Sequence, residues 1–129
     1  MITYLASPID QGSLADLKAR ARDLLLARGC AIYDPSRAWT VGSASPSSGL
    51  QAINMAALDR CDGVLAILSP NVMSVGVVAE LIHASTHDIP LALWGLDLKP
   101  SWSLAYYGIV PHTTLDNAVD SLLEEVGNV

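Results

Sequence analysis

The chain is 129 residues long, half of them hydrophobic, with a formal net charge of −6 at pH 7. That charge argues against binding to nucleic-acid polymers, which needs a basic surface, and the apolar runs fall short of the roughly 20 residues that cross a bilayer. Cys30 and Cys61 stand alone and the N-terminus lacks a basic leader, so the expectation is one cytoplasmic domain over residues 1–129, without disulfide framework, zinc site or secretory signal.

The run "ITYLA" (2–6) is rich in strand formers. A helix follows, with Ser13 as N-cap, Asp16 three residues later and Gly29 as its stop; Leu14, Leu17, Ala21, Leu24 and Leu25 mark its apolar face. "CAIYD" (30–34) reads as a second strand. The stretch "SRAWTVGSASPSSG" (36–49) is rich in Ser, Gly and Pro and too long for a simple connector, which is common in functional loops. Residues 48–61 read as a helix, 63–69 as a buried strand, 74–88 as a helix and 90–94 as another buried strand. A helical turn near 101–107, a weak strand near 109–113 and an amphipathic helix over 114–126, capped by Thr114 or Asp116, complete the order.

This alternation predicts an α/β fold: a flavodoxin-like (Rossmann-like) five-stranded parallel sheet, order 2-1-3-4-5, with helices on both faces. Ligands of such sheets sit at the carboxyl ends of the strands, where the strand order reverses. Strands one and three meet there, which draws attention to Ser7, Pro8 and Asp10 and to the run from Ser69 to Glu80.

Ser74, Val75 and Gly76 open the helix of that run. Free amides, the positive end of the helix dipole, a serine hydroxyl and a side-chain-free glycine suit a phosphate; they equally suit a plain N-cap. Glu80 lies roughly 6 Å further along the axis, among Val77, Val78, Leu81 and Ile82. A buried carboxylate needs partners or a function. With a phosphate at the helix start, it would face the anomeric carbon of a ribose 5′-phosphate, where a carboxylate can form and release a glycosyl ester. Tyr4 is either its hydrogen-bond partner or an ordinary core tyrosine.

Several segments resemble the nucleoside 2-deoxyribosyltransferase superfamily, in order and over nearly the whole chain: "ITYLASP", "NMAALDRCDGVLAIL", "SVGVVAEL" and "LKPSWSLAYYGI". The resemblance implies Glu80 as nucleophile on C1′, Tyr4 as its partner, and a homodimer or higher homo-oligomer in which the Ser103 region completes the neighbouring site. "YDPSRAWTVG" is similar to the base-recognising loop of the branch that hydrolyses pyrimidine nucleoside monophosphates, which brings in Arg37 and Trp39. Transferases acting on free nucleosides carry an aspartate six residues before the nucleophile; the 5′-monophosphate N-glycosidases carry a serine, as here with Ser74. An aspartate would repel a phosphate, whereas a serine can donate to it.

The implied substrate is therefore a nucleoside 5′-monophosphate with a pyrimidine or modified pyrimidine base, hydrolysed at its N-glycosidic bond with no cofactor and no metal; the alternative is a 2-deoxyribosyltransferase that exchanges bases between nucleosides. One position departs from the pattern. Where the family places an aspartate, this chain has Asn54, an amide that can contact sugar or base but cannot protonate a leaving group. Either Asp59 substitutes for it or the chain is a silent nucleotide-binding relative; Asp62 reads as a helix terminator.

Of the remaining candidates, His83 and His87 have metal-pair spacing but no third ligand and read as surface histidines. His112 reads as surface and Trp94 as core. Trp102, Tyr106 and Tyr107 read as a subunit-interface patch.

Overall fold

A computed structural model describes residues 1–8, 12–37, 48–69, 74–95, 97–98 and 101–127. Its strands are β1 (Ile2–Ala6), β2 (Ala31–Tyr33), β3 (Gly63–Leu68), β4 (Leu91–Gly95) and β5 (Pro111–His112). Its helices are α1 (Gly12–Ala27), α2 (Ser48–Leu58), α3 (Val75–Thr86), α4 (Trp102–Tyr106) and α5 (Leu115–Gly127), and a 3-10 turn spans Pro35–Arg37. All pairings are parallel and the sheet order is β2-β1-β3-β4-β5, as the alternation of elements predicts.

The central strands read as continuous apolar runs because both faces of the sheet are covered; all six residues of β3 are buried. Alternation sorts the side chains into two layers. Tyr4, Ala6, Val64, Ala66 and Leu93 pack with Leu58 of α2 and with Val77, Leu81 and Ala84 of α3. Leu5, Leu65, Ile67 and Trp94 pack with α1 and α5 on the opposite face.

Several element ends differ from the sequence reading, each for a local reason. Helix α1 already includes Gly12, so Ser13 lies in its first turn and is not its cap. Its other end closes at Gly29, whose φ of +82° allows the Cys30 amide to donate to the Leu25 carbonyl at 3.0 Å. Helix α2 stops at Leu58, three residues early, because the Arg60 and Cys61 amides turn tightly back to Ala57 and Leu58. Asp62 does not end that helix. Its carboxylate accepts from the Ile2 amide at 2.7 Å and its own amide donates to the Ile2 carbonyl at 2.8 Å, so it pins the start of β1 to the approach of β3. Thr114, and not Asp116, caps α5: its hydroxyl accepts from the Asn117 amide at 3.2 Å.

Strand β2 ends at Tyr33 because Asp34 turns to bind its own loop. The buried Asp34 carboxylate accepts from the Ser36 amide and hydroxyl at 3.0 and 2.7 Å, and pairs with Lys18 at 2.9 Å and Arg22 at 3.1 Å. Burial alone would raise its pKa, but the hydrogen bonds from Lys18 and Ser36 and the Lys18 charge outweigh that and hold it below the ordinary value.

Candidate active site

Helices α2 and α3 lie side by side over β1 and β3, and both run against the strand direction. The inward stripe of α3 is Val77, Glu80, Leu81 and Ala84, the spacing of a helix face that packs on a core. Glu80 thus occupies a core position and is 6% exposed. On α2 the same spacing brings Gln51, Asn54, Met55 and Leu58 to one face; Asn54 is 5% exposed and Leu58 is fully buried. Both stripes are apolar except at Gln51, Asn54 and Glu80.

The two helices are held in register by His83, whose Nε2 lies 2.6 Å from Asp59 Oδ1. One turn earlier on each helix, Glu80 and the Asn54–Met55 pair come to about the same level. Tyr4 rises from β1 beneath them, fully buried and stacked on Tyr33 with ring centres 5.5 Å apart.

The Tyr4 hydroxyl, Glu80 Oε2, Asn54 Oδ1 and Gln51 Nε2 are buried and have no hydrogen-bond partner among the described residues. Native interiors pair nearly all such atoms, because each unpaired one costs about 1–3 kcal/mol. Four of them between β1, α2 and α3 mark a place suited to a ligand. Burial raises the Glu80 pKa from 4.5 to about 7, and the neighbouring Tyr4 hydroxyl opposes that rise. Burial and the nearby Glu80 charge push the Tyr4 hydroxyl upward, so it stays protonated and can donate. In this structure it faces the carboxylate without closing a hydrogen bond of good geometry.

Ser74 caps α3. Its hydroxyl oxygen accepts from the Val77 amide at 3.3 Å, which leaves the hydroxyl proton free to donate elsewhere. The Val75 and Gly76 amides open the helix and have no intrahelical acceptor. A side chain on Gly76 would meet nothing nearer than Ser74 Oγ at 3.6 Å, so packing does not require glycine there. Ser7 and Pro8 are buried at the carboxyl end of β1, and Ser7 Oγ has no partner among the described residues.

Asp10, Trp39 and the side chain of Arg37 lie outside the described residues. Ser103 is exposed on α4, so this chain by itself does not bury it. Asp59 is a correction: its side chain is 50% exposed and engaged by His83, beyond the end of α2 that lies away from the carboxyl edge of the sheet. It is not placed to replace Asn54. His83 and His87 stack with ring centres 4.0 Å apart, and among the described residues no group of three or more His, Cys, Asp or Glu side chains could hold a metal ion. His112 pairs with Trp94 across β4 and β5, and Trp94 is a core residue with Arg20 5.6 Å over its ring. Tyr106 and Tyr107 meet edge to face; the Trp102 side chain is outside the described residues.

Gln51 is the residue that sequence reasoning missed; its signal was its place three residues before Asn54 on one helix face. A separate groove of about 490 Å³ runs along α2, lined by Ile2, Tyr33, Ile53, Ala56, Ala57, Arg60 and Cys61. It is nearly apolar, and burial with the Asp62 charge pushes its one thiol up to about 11. It holds no acid–base pair, so the chemistry belongs to the Glu80 cluster.

No protein-family model and no curated protein matches the sequence. Solved structures do. The 2-deoxyribosyltransferase of Bacillus psychrosaccharolyticus matches with a TM-score of 0.76 at 15% identity, over 91% of this chain and 89% of that one. The CMP N-glycosidase of Clostridium botulinum matches with a TM-score of 0.62 at 17% identity, over 96% and 99%. The 2-desoxiribosyltransferase of Leishmania mexicana matches with a TM-score of 0.59 at 20% identity, over 88% and 75%. This chain therefore has the fold shared by 2-deoxyribosyltransferases and a CMP N-glycosidase, the fold that its motifs led us to expect.

Proposed function

We propose that the chain is a member of the nucleoside 2-deoxyribosyltransferase superfamily that hydrolyses the N-glycosidic bond of a nucleoside 5′-monophosphate. The observation that carries this reading is Glu80: a carboxyl in a core position, with its pKa raised to about 7, four residues into the helix from Gly76. The start of α3 holds the phosphate, through the Val75 and Gly76 amides and the Ser74 hydroxyl. The sugar then spans from the helix start to Glu80. The ionised Glu80 attacks C1′, a C–O bond forms, and the C–N bond breaks with its electron pair leaving on the base, which takes a proton from water. A second water hydrolyses the glycosyl ester, releasing the sugar 5-phosphate and regenerating the carboxylate. Tyr4 donates to the Glu80 oxygen that does not attack and keeps the carboxylate ionised near neutral pH.

Ser7, Pro8, Asp10, Arg37 and Trp39 complete the substrate pocket in this reading, and the Ser103 region of a second copy closes it, so the working unit is at least a homodimer in the cytoplasm. The fold shared with 2-deoxyribosyltransferases favours one alternative, in which a second base and not water resolves the ester. Incubation with nucleoside 5′-monophosphates, with and without a second free base, separates the two. Free base plus sugar phosphate is expected. A new nucleotide appearing only when the second base is present would replace hydrolysis by transfer, and binding without turnover would leave a silent nucleotide-binding relative.

A further inference from the structure

Helix α2 carries a second apolar stripe that its inward face does not explain. Ile53, Ala56, Ala57 and Arg60 recur at the spacing of one helix face, and Ile53 and Ala56 are exposed. This stripe is one wall of the groove of about 490 Å³; Ile2 of β1 and Tyr33 of β2 form its floor, and Cys61 lies at its end. The two alanines leave space that larger residues would fill. The volume falls in the range of small-molecule pockets and would hold only about one turn of a helix roughly 10 Å wide. Among the described residues that line the groove, Arg60 carries the one charge. Its guanidinium makes no ion pair among the described residues, unlike those of Arg22 and Arg28. The flanking acids are engaged elsewhere, Asp59 by His83 and Asp62 by the Ile2 amide, and neither lines the groove.

We propose that this groove binds a small molecule with an apolar body and a single anionic head, the body between α2 and the β1–β2 floor and the head on Arg60. Burial of the body supplies most of the affinity. The guanidinium offers a planar fork of donors and selects a carboxylate or sulfonate over an uncharged head. The site is separate from the Glu80 cluster. Ile2 and Cys61 lie at the amino end of β1 and just before β3, whereas Ser7 and Ser74 follow the carboxyl ends of those strands. The proposal therefore stands whatever reaction Glu80 carries.

The test is fluorescence titration of the folded chain with 8-anilinonaphthalene-1-sulfonate and with its uncharged parent N-phenyl-1-naphthylamine, in wild type, Arg60→Met and Ala56→Trp. Both substitutions fall at exposed positions, so the fold is kept. The expected result is a single saturable site per chain for the sulfonate. Arg60→Met should weaken the sulfonate by about three- to fivefold, the size of a well-formed exposed ion pair, and change the uncharged parent by less than about twofold. Ala56→Trp, which fills the groove, should abolish binding of both. Sulfonate affinity that is unchanged in Arg60→Met, or that falls equally for the two probes, overturns the proposal, as does binding that survives in Ala56→Trp. Displacement of the sulfonate by a nucleoside 5′-monophosphate would also overturn it, by joining the groove to the Glu80 site. So would a dimer in light scattering that Ala56→Trp dissociates, because a second copy would then fill the groove.

Discussion

A single side chain governs the chemistry proposed here, and its titration can be followed in two independent ways. The Glu80 carboxyl holds its proton to about pH 7 in the fold, against 4.5 for the free group. Between those values the folded chain binds the extra proton, so this group makes stability fall as pH rises, by about 3 kcal/mol in all. Glu80→Gln removes that component: relative to wild type, it should gain about 2–3 kcal/mol in denaturant unfolding between pH 5 and pH 8. A constant difference across that range would mean that Glu80 is not buried as a titrating acid. The Tyr4 hydroxyl lowers the Glu80 pKa, so Tyr4→Phe should move the acid limb of the pH–rate profile upward; a limb that stays in place would detach Tyr4 from the carboxylate. Glu80 was legible in the sequence because an isolated acid among Val77, Val78, Leu81 and Ile82 contradicts its surroundings. Gln51 was not, because a neutral amide beside exposed Ala52 and Ile53 reads as surface until the phase of α2 is known.

At the level of elements, the start of α3 separates a phosphate cradle from a plain cap. Asp is as good an N-cap as Ser, so Ser74→Asp should keep the melting temperature near that of wild type while weakening nucleotide 5′-monophosphate binding by at least about tenfold through charge repulsion. Equal affinity in calorimetry would return Ser74 to capping alone. Gly76 makes a second, opposite test. Its added methyl has room, so Gly76→Ala should stabilise the helix by about 0.5–1 kcal/mol and still weaken binding if an anion lies against that backbone. The cap itself, the Gly29 stop of α1 and the start of α2 were readable from sequence, whereas the start of α1 and the close of α2 were not. Those ends are set by tertiary partners: Gly12 precedes the expected cap, and the turn at Arg60 and Cys61 feeds Asp62 into its contact with Ile2.

For the whole molecule, the sheet order followed from the alternation of apolar strands and amphipathic helices, since parallel crossovers leave few topologies open. Strand β5 was weak in the sequence because only Pro111 and His112 pair, and one of them lacks an amide proton. Assembly is an expectation from the resemblance alone. Ser103 and Tyr106 lie on the surface of this chain, and a shared site makes a definite prediction: Ser103→Arg and Glu80→Gln, each inactive alone, should regain activity when mixed and allowed to exchange subunits. No recovery from exchanged subunits would place each site within one chain. The most direct test of the central claim is base release from a turned-over nucleoside 5′-monophosphate by wild type and Glu80→Gln, side by side with nucleotide affinity. The account predicts that turnover is lost while affinity holds. Turnover that continues at the wild-type rate in Glu80→Gln would contradict it.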